Sequence, residues 1–98
     1  MNSKTFISIK TFCTAHQVEE SFVRILHEYD VLAIQEQDKE QVVPVEELPT
    51  LEKMVRLNKE LDINPEGLQA IHRLLQQIQG LQEEVDILKR KLDLFGNE

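Results

Sequence analysis

Cysteine occurs once in these 98 residues, tryptophan not at all, tyrosine once and glycine three times. A lone Cys13 excludes an intramolecular disulfide and suits a reducing compartment. With four Phe and one Tyr, any core must be mostly aliphatic. Gly67, Gly80 and Gly96 stand far apart, which excludes a glycine-rich phosphate loop. No apolar run approaches the roughly 20 residues a membrane-spanning helix needs. The opening MNSKTFISIK is too polar for a secretion signal, so the expected location is cytoplasmic. Basic residues are also scarce, 11 Lys and Arg against 18 Asp and Glu, for a net charge of −7.

The sequence does have the means to fold. Hydrophobic residues make up 41% and charged residues 30%, a balance that favours one small folded domain with or without an extension. The acidity is uneven. Residues 1–48 hold nine acids against four bases (net −5), and residues 49–98 hold nine against seven (net −2). Nucleic-acid binding draws much of its affinity from Lys and Arg neutralising phosphates, so the first half in particular is poorly equipped for it.

That first half nevertheless has the cadence of a DNA-reading unit. In FCTAHQVEESFVRILHEYDVL (residues 12–32), a short helix N-capped by Ser8 and about eight residues long gives way to a turn at Gln17-Val18. A second helix is expected from about Glu19 to Asp30, with Phe22, Val23, Leu26 and Tyr29 on one side. Helix-turn-helix units usually set this second helix in the major groove. Here it offers Arg24 alone against Glu19, Glu20, Glu28 and Asp30.

Upstream, Lys4–Ile9 alternates loosely and is expected as a short strand or an extended lead-in. Downstream, Leu32 and Ile34, then Val42, Val43 and Val45, flank the polar turn Gln37-Asp38-Lys39-Glu40. This reads as a hairpin wing, with Pro44 at an edge or strand end. A third helix is expected to open at Glu46 or Glu47 with Pro49 in its first turn. Its apolar stripe is Leu51, Met54, Val55, Leu57 (or Asn58) and Leu61. Asp62-Ile63-Asn64-Pro65 then breaks the chain, with Asn64 as N-cap and Pro65 in the first helical position. Helix four should run on to Gly96, Gly80 being its one weak point. The fold class expected is mainly α: a winged helix-turn-helix head over residues 1–63 and a long coiled-coil helix for dimerisation over 64–98.

On helix four, Ile71, Leu74, Ile78, Leu81, Val85, Leu88, Leu92 and Phe95 are spaced 3, 4, 3, 4, 3, 4, 3. That is a heptad seam with β-branched residues frequent at a and Leu at d, a pattern that favours two strands. The stripe is too long to be covered by the small head alone, because some 30 helical residues extend about 45 Å. These eight residues are therefore the expected homodimer interface. A parallel pair sets Glu84 against Lys89, and an antiparallel pair sets Glu84 against Lys91.

Nothing in the sequence assembles a catalytic or metal centre, and neither enzyme activity nor a cofactor is expected. Cys13 follows Phe12 on an apolar-faced helix and reads as core. His16, His27 and His72 fall on three different helices without metal-ligand spacing and read as surface or boundary residues. The carboxylates are dispersed, as on solvated faces. The candidate partner-binding acids are Glu20, Glu28, Asp30, Glu36, Asp38 and Glu40, on helix two and the wing. Glu52, Glu60, Asp62 and Glu66 are an equal alternative.

The order helix, turn, helix, wing, helix, long pairing helix resembles the MerR superfamily. More narrowly, ISIKTFCTAHQVEESFVRILHEYDVL and RLNKELDINPEGLQAIHRLLQQIQGLQEEVDILKRKL resemble the CbpM family of chaperone modulators. Arg56-Leu57, Glu60-Leu61, Ile63-Asn64, Gly67, Ile71 and Leu74-Leu75 carry that likeness; residues 35–47 match it least. The resemblance implies a MerR-like fold turned to protein binding, with the J-domain of a DnaJ-like co-chaperone (CbpA) as partner and limited stimulation of DnaK as the effect. An acidic head facing a basic J-domain helix would be complementary in charge. The alternative is a MerR-family DNA-binding transcriptional regulator which, ending at Glu98, is expected to lack an effector domain. A third reading is a dimeric scaffold with another partner. DNA is the less expected partner, and none of the readings involves a membrane.

Overall fold

A computed structural model describes residues 5–95. Strand β1 (Phe6–Ser8) leads directly into α1 (Ile9–His16), and α2 (Glu20–Glu28) follows a short turn. Strands β2 (Gln35–Gln37) and β3 (Glu40–Pro44) form the wing. A 3₁₀ turn (Val45–Glu47) introduces α3 (Leu48–Leu61), and α4 runs from Pro65 to Leu94. Lys4 and Gly96, the expected ends of the first strand and the last helix, lie outside the described residues.

The turns are set by local chemistry. The Ser8 hydroxyl accepts from the Thr11 amide at 2.9 Å, and the Asn64 side chain accepts from the Gly67 amide at 2.8 Å, so both expected N-caps form. Gln17 and Asp62 end α1 and α3 in left-handed conformation (φ 58° each), the usual way of closing a helix C-terminus. In the wing, Asp38 and Lys39 both have positive φ (51° and 66°), as a two-residue turn of type I′ requires. Gly67 answers a steric demand: a Cβ there would lie 2.7 Å from Ile63 Cγ2.

The wing is one strand wider than the hairpin expected. β1 pairs antiparallel with β3 (Phe6 opposite Pro44, Ser8 opposite Val42), so β3 is central in the order β1-β3-β2. Pro44 is tolerated because it is the last residue of its strand. Leu32 and Ile34 precede β2 and serve the core instead: Leu32 is buried and Ile34 half-buried against it. The third helix also begins later than expected, since the acids Glu46 and Glu47 belong to the 3₁₀ turn.

Ile9, Phe12 and Cys13 of α1, Val23 and Leu26 of α2, Val43 of β3, and Leu51, Met54 and Val55 of α3 form one buried cluster. Leu68 of α4 is fully buried in it. Leu61, expected on the apolar stripe of α3, is 64% exposed. The left-handed turn at Asp62 sends Ile63 onto the core in its place. No helix among the described residues is long and apolar enough to cross a membrane.

Candidate functional site

The solvent face of α2 follows from its period. Val23 and Leu26 point into the core, which leaves Glu20, Arg24 and Glu28 stacked one turn apart on the opposite side. Arg24 is held there at two points. Its Nη2 pairs with Glu20 Oε1 at 2.8 Å and its Nε–H donates to Gln41 Oε1 of β3 at 2.9 Å. The one cation of α2 is thus strapped between an acid of its own helix and the wing. The pair is solvent-accessible and contributes at most about 1 kcal/mol to stability. Its larger consequence is electrostatic, since the exposed face has no free positive charge.

The strap also sorts the candidate acids. Glu36 lies directly opposite Gln41 in the β2–β3 ladder, so its side chain leaves the sheet on the face that Arg24 touches. Glu40 lies opposite Gln37 and leaves on the other face. Asp38 sits at the wing tip. Glu28 and Asp30 lie at the far end of α2, about 12 Å along the helix from Glu20. All but the half-buried Glu20 are exposed. The structure therefore sets Glu20 against Arg24 and Glu36 on the wing face that Arg24 touches, and keeps Glu28 and Asp30 at the far end of α2.

Several contacts that shape this surface had no signal in the sequence. Lys59 Nζ on α3 donates to the His16 carbonyl at the end of α1 at 2.8 Å. The Tyr29 hydroxyl donates to Glu66 Oε2 at 3.0 Å, and Gln69 Nε2 donates to the Tyr29 carbonyl at 2.7 Å, joining the end of α2 to the start of α4. The bond to Glu66, followed by that carboxylate's charge, raises the Tyr29 pKa. Each link spans tens of residues, so no local spacing betrays it. His27 and His72, read as unrelated, line one groove of about 540 Å³ with Asp30, Glu47 and Thr50. The imidazole Nδ1–H of His27 donates to the Leu32 carbonyl at 3.0 Å. Among the described residues, no three His, Cys, Asp or Glu side chains converge to hold a metal ion. Cys13 is buried, and its pKa is raised chiefly by that burial and next by the charge of Glu20, with Arg24 opposing.

The second exposed surface is α4 itself. Ile71 is half-buried at its base. Beyond Leu75 every described residue is exposed; Leu74, Ile78, Leu81, Val85, Leu88, Leu92 and Phe95 are 48–85% exposed. The radius of gyration, 17.6 Å, exceeds the roughly 12 Å of a compact chain of this size because the helix projects.

This arrangement of head, three-stranded wing and projecting helix is accompanied by a family match. The model of the MerR HTH family regulatory protein matches residues 7–90. The chain belongs to the MerR helix-turn-helix family. The span common to this MerR-family chain and the model begins in β1 and ends near the last turns of α4, so it takes in the head, the wing and most of the bare helix. No curated protein sequence shows a significant match to it.

Proposed function

We propose that this MerR-family chain is a protein-binding modulator. It acts as a homodimer and uses its acidic helix-turn-helix head to occupy the basic J-domain of a DnaJ-like co-chaperone of the CbpA type. Occupying the J-domain limits its stimulation of DnaK. The observation that carries the reading is the state of Arg24. The only cation of the helix that would enter a DNA groove is held by Glu20 and Gln41, while Glu28 at the far end of that helix and Glu36, Asp38 and Glu40 of the wing are exposed. Phosphates would meet net repulsion there, and DNA binding loses its main source of affinity. A basic protein surface would meet attraction, which raises association rate and selectivity.

Dimerisation rests on the seam of α4. Ile71, Leu74, Ile78, Leu81, Val85, Leu88, Leu92 and Phe95 lie along one side, and from Leu74 onward they have no cover from their own chain. A contiguous apolar stripe of this length on a soluble protein marks an association surface. On this reading the protein is cytoplasmic, non-enzymatic and independent of cofactors.

The test is calorimetric titration of the purified protein with a basic J-domain at two salt concentrations, beside a gel-shift assay with DNA. Saturable binding that weakens as salt rises, with no DNA shift, is the expected result. Failure to bind any J-domain, together with specific DNA retention, would overturn the reading in favour of a DNA-binding regulator.

A further inference from the structure

Helix α4 has a second apolar line that the dimer seam does not use. Ile87 and Leu94 are 45% and 80% exposed and lie seven residues apart; seven residues earlier stands Gly80. At about 100° per residue these three align on one face, roughly 130° around the helix from the middle of the seam. A Cβ at Gly80 would meet nothing within 4 Å, so nothing within its own chain calls for a glycine, a poor helix former.

Charges flank this line in blocks of opposite sign. Glu83 and Glu84 come just before Ile87, and Arg90 and Lys91 just after. Glu83 and Arg90 lie on one side of the line, Glu84 and Lys91 on the other. Turning a second copy antiparallel about Ile87 makes every element find its complement. Ile87 meets Ile87, Glu83 meets Arg90, Glu84 meets Lys91, and Leu94 lies over Gly80. Antiparallel packing brings like flanks together, so both charge pairs are attractive. A parallel arrangement would set Glu83 against Glu84 and Arg90 against Lys91, and would be repelled.

We propose that this outer face of α4 is a second self-association surface, on which two copies run antiparallel about Ile87 and each Leu94 lodges against the other's Gly80. The occupant is a second copy because the pattern is its own complement under a two-fold rotation, as an isologous interface demands. The missing side chain at Gly80 lets Leu94 approach the helix backbone closely. The contact uses none of the eight seam residues, and its Glu83–Arg90 pairs face away from the seam, while Glu84 and Lys91 flank both faces. With both surfaces engaged, association extends beyond the dimer, because the two faces lie about 130° apart on the helix.

Sedimentation equilibrium of the full chain at low salt tests this with Glu83 and Arg90, which face away from the seam. Glu83→Arg and Arg90→Glu should each weaken the association roughly tenfold, since each turns attractive pairs repulsive. The double variant E83R/R90E should restore it. Gly80→Leu should raise helicity by circular dichroism and still lower the assembled mass. If the seam also pairs, the loss reads as a higher assembly falling to two chains; if it does not, as two falling to one. Mass distributions unchanged by E83R and R90E, or a double variant no better than the singles, would overturn the proposal. A helix from a different protein as the natural occupant would give that same indifference.

Discussion

Helix α4 is a single uninterrupted helix with two different surroundings. Over its first turns it is part of a protein interior: Leu68 is fully buried, Asn64 caps the end, and Gly67 is required by the close approach of Ile63. Past Leu75 the same apolar rhythm continues with no cover from the chain. The contrast shows what periodicity can and cannot say. It identifies the face that needs burying, because apolar side chains three and four apart share a side. It does not say whose atoms will cover that face.

The comparison can be broken most severely at the bare end. On the proposed dimer, Leu81→Asp with Leu88→Asp should weaken seam pairing at least about a hundredfold, since each leucine contributes roughly 1.5–3 kcal/mol of burial. Sedimentation should show the loss while circular dichroism retains the helical head. At the buried end, Leu68→Ala should cost about 2–5 kcal/mol through lost contacts and a residual cavity. Denaturant unfolding should show this cost without dependence on protein concentration. The two glycines sharpen the contrast, because the same substitution should act in opposite directions. Gly67→Ala should lower stability by about 1 kcal/mol, as the Ile63 methyl has little room to yield. Gly80→Ala should raise the helix stability of the dissociated chain by up to about 1 kcal/mol.

The smallest effect concerns Cys13. Because burial raises its pKa, the native thiol should react with a thiol reagent far more slowly than the unfolded one near neutral pH. The folded value lies above the ordinary 9.0, so its contribution to stability is complete below that pH and is lost as pH rises towards the folded value. Rapid native-state labelling would show that the first helix does not pack as described.

The parts of the fold legible in the sequence are those whose causes are local. Ser8 and Asn64 cap helices through bonds three residues long, and the break at Asp62–Pro65 combines a left-handed residue with a cap and a proline. Long-range choices were not legible. The pairing of β1 with β3, the strap from Arg24 to Gln41 and the reach of Lys59 to His16 join positions brought together only by the completed core. The same holds for the candidate surface. Its acidity could be counted from the sequence, but the division of its acids by the two faces of the wing could not. Nor could the loss of Arg24 as a free cation.

The links from Tyr29 to Glu66 and Gln69, with Leu68 in the core, fasten the head to the base of α4. The head therefore rides its helix as a nut held on a screw. Removing one residue from the exposed stretch would turn the head by about 100° relative to whatever grips the far end, and shift it by about 1.5 Å. Removing seven would draw it in by about 10 Å and turn it by only about 20°. The bearing and reach of the acidic face are thus set by helix length, and chain-length variants could change them without altering one residue of that face.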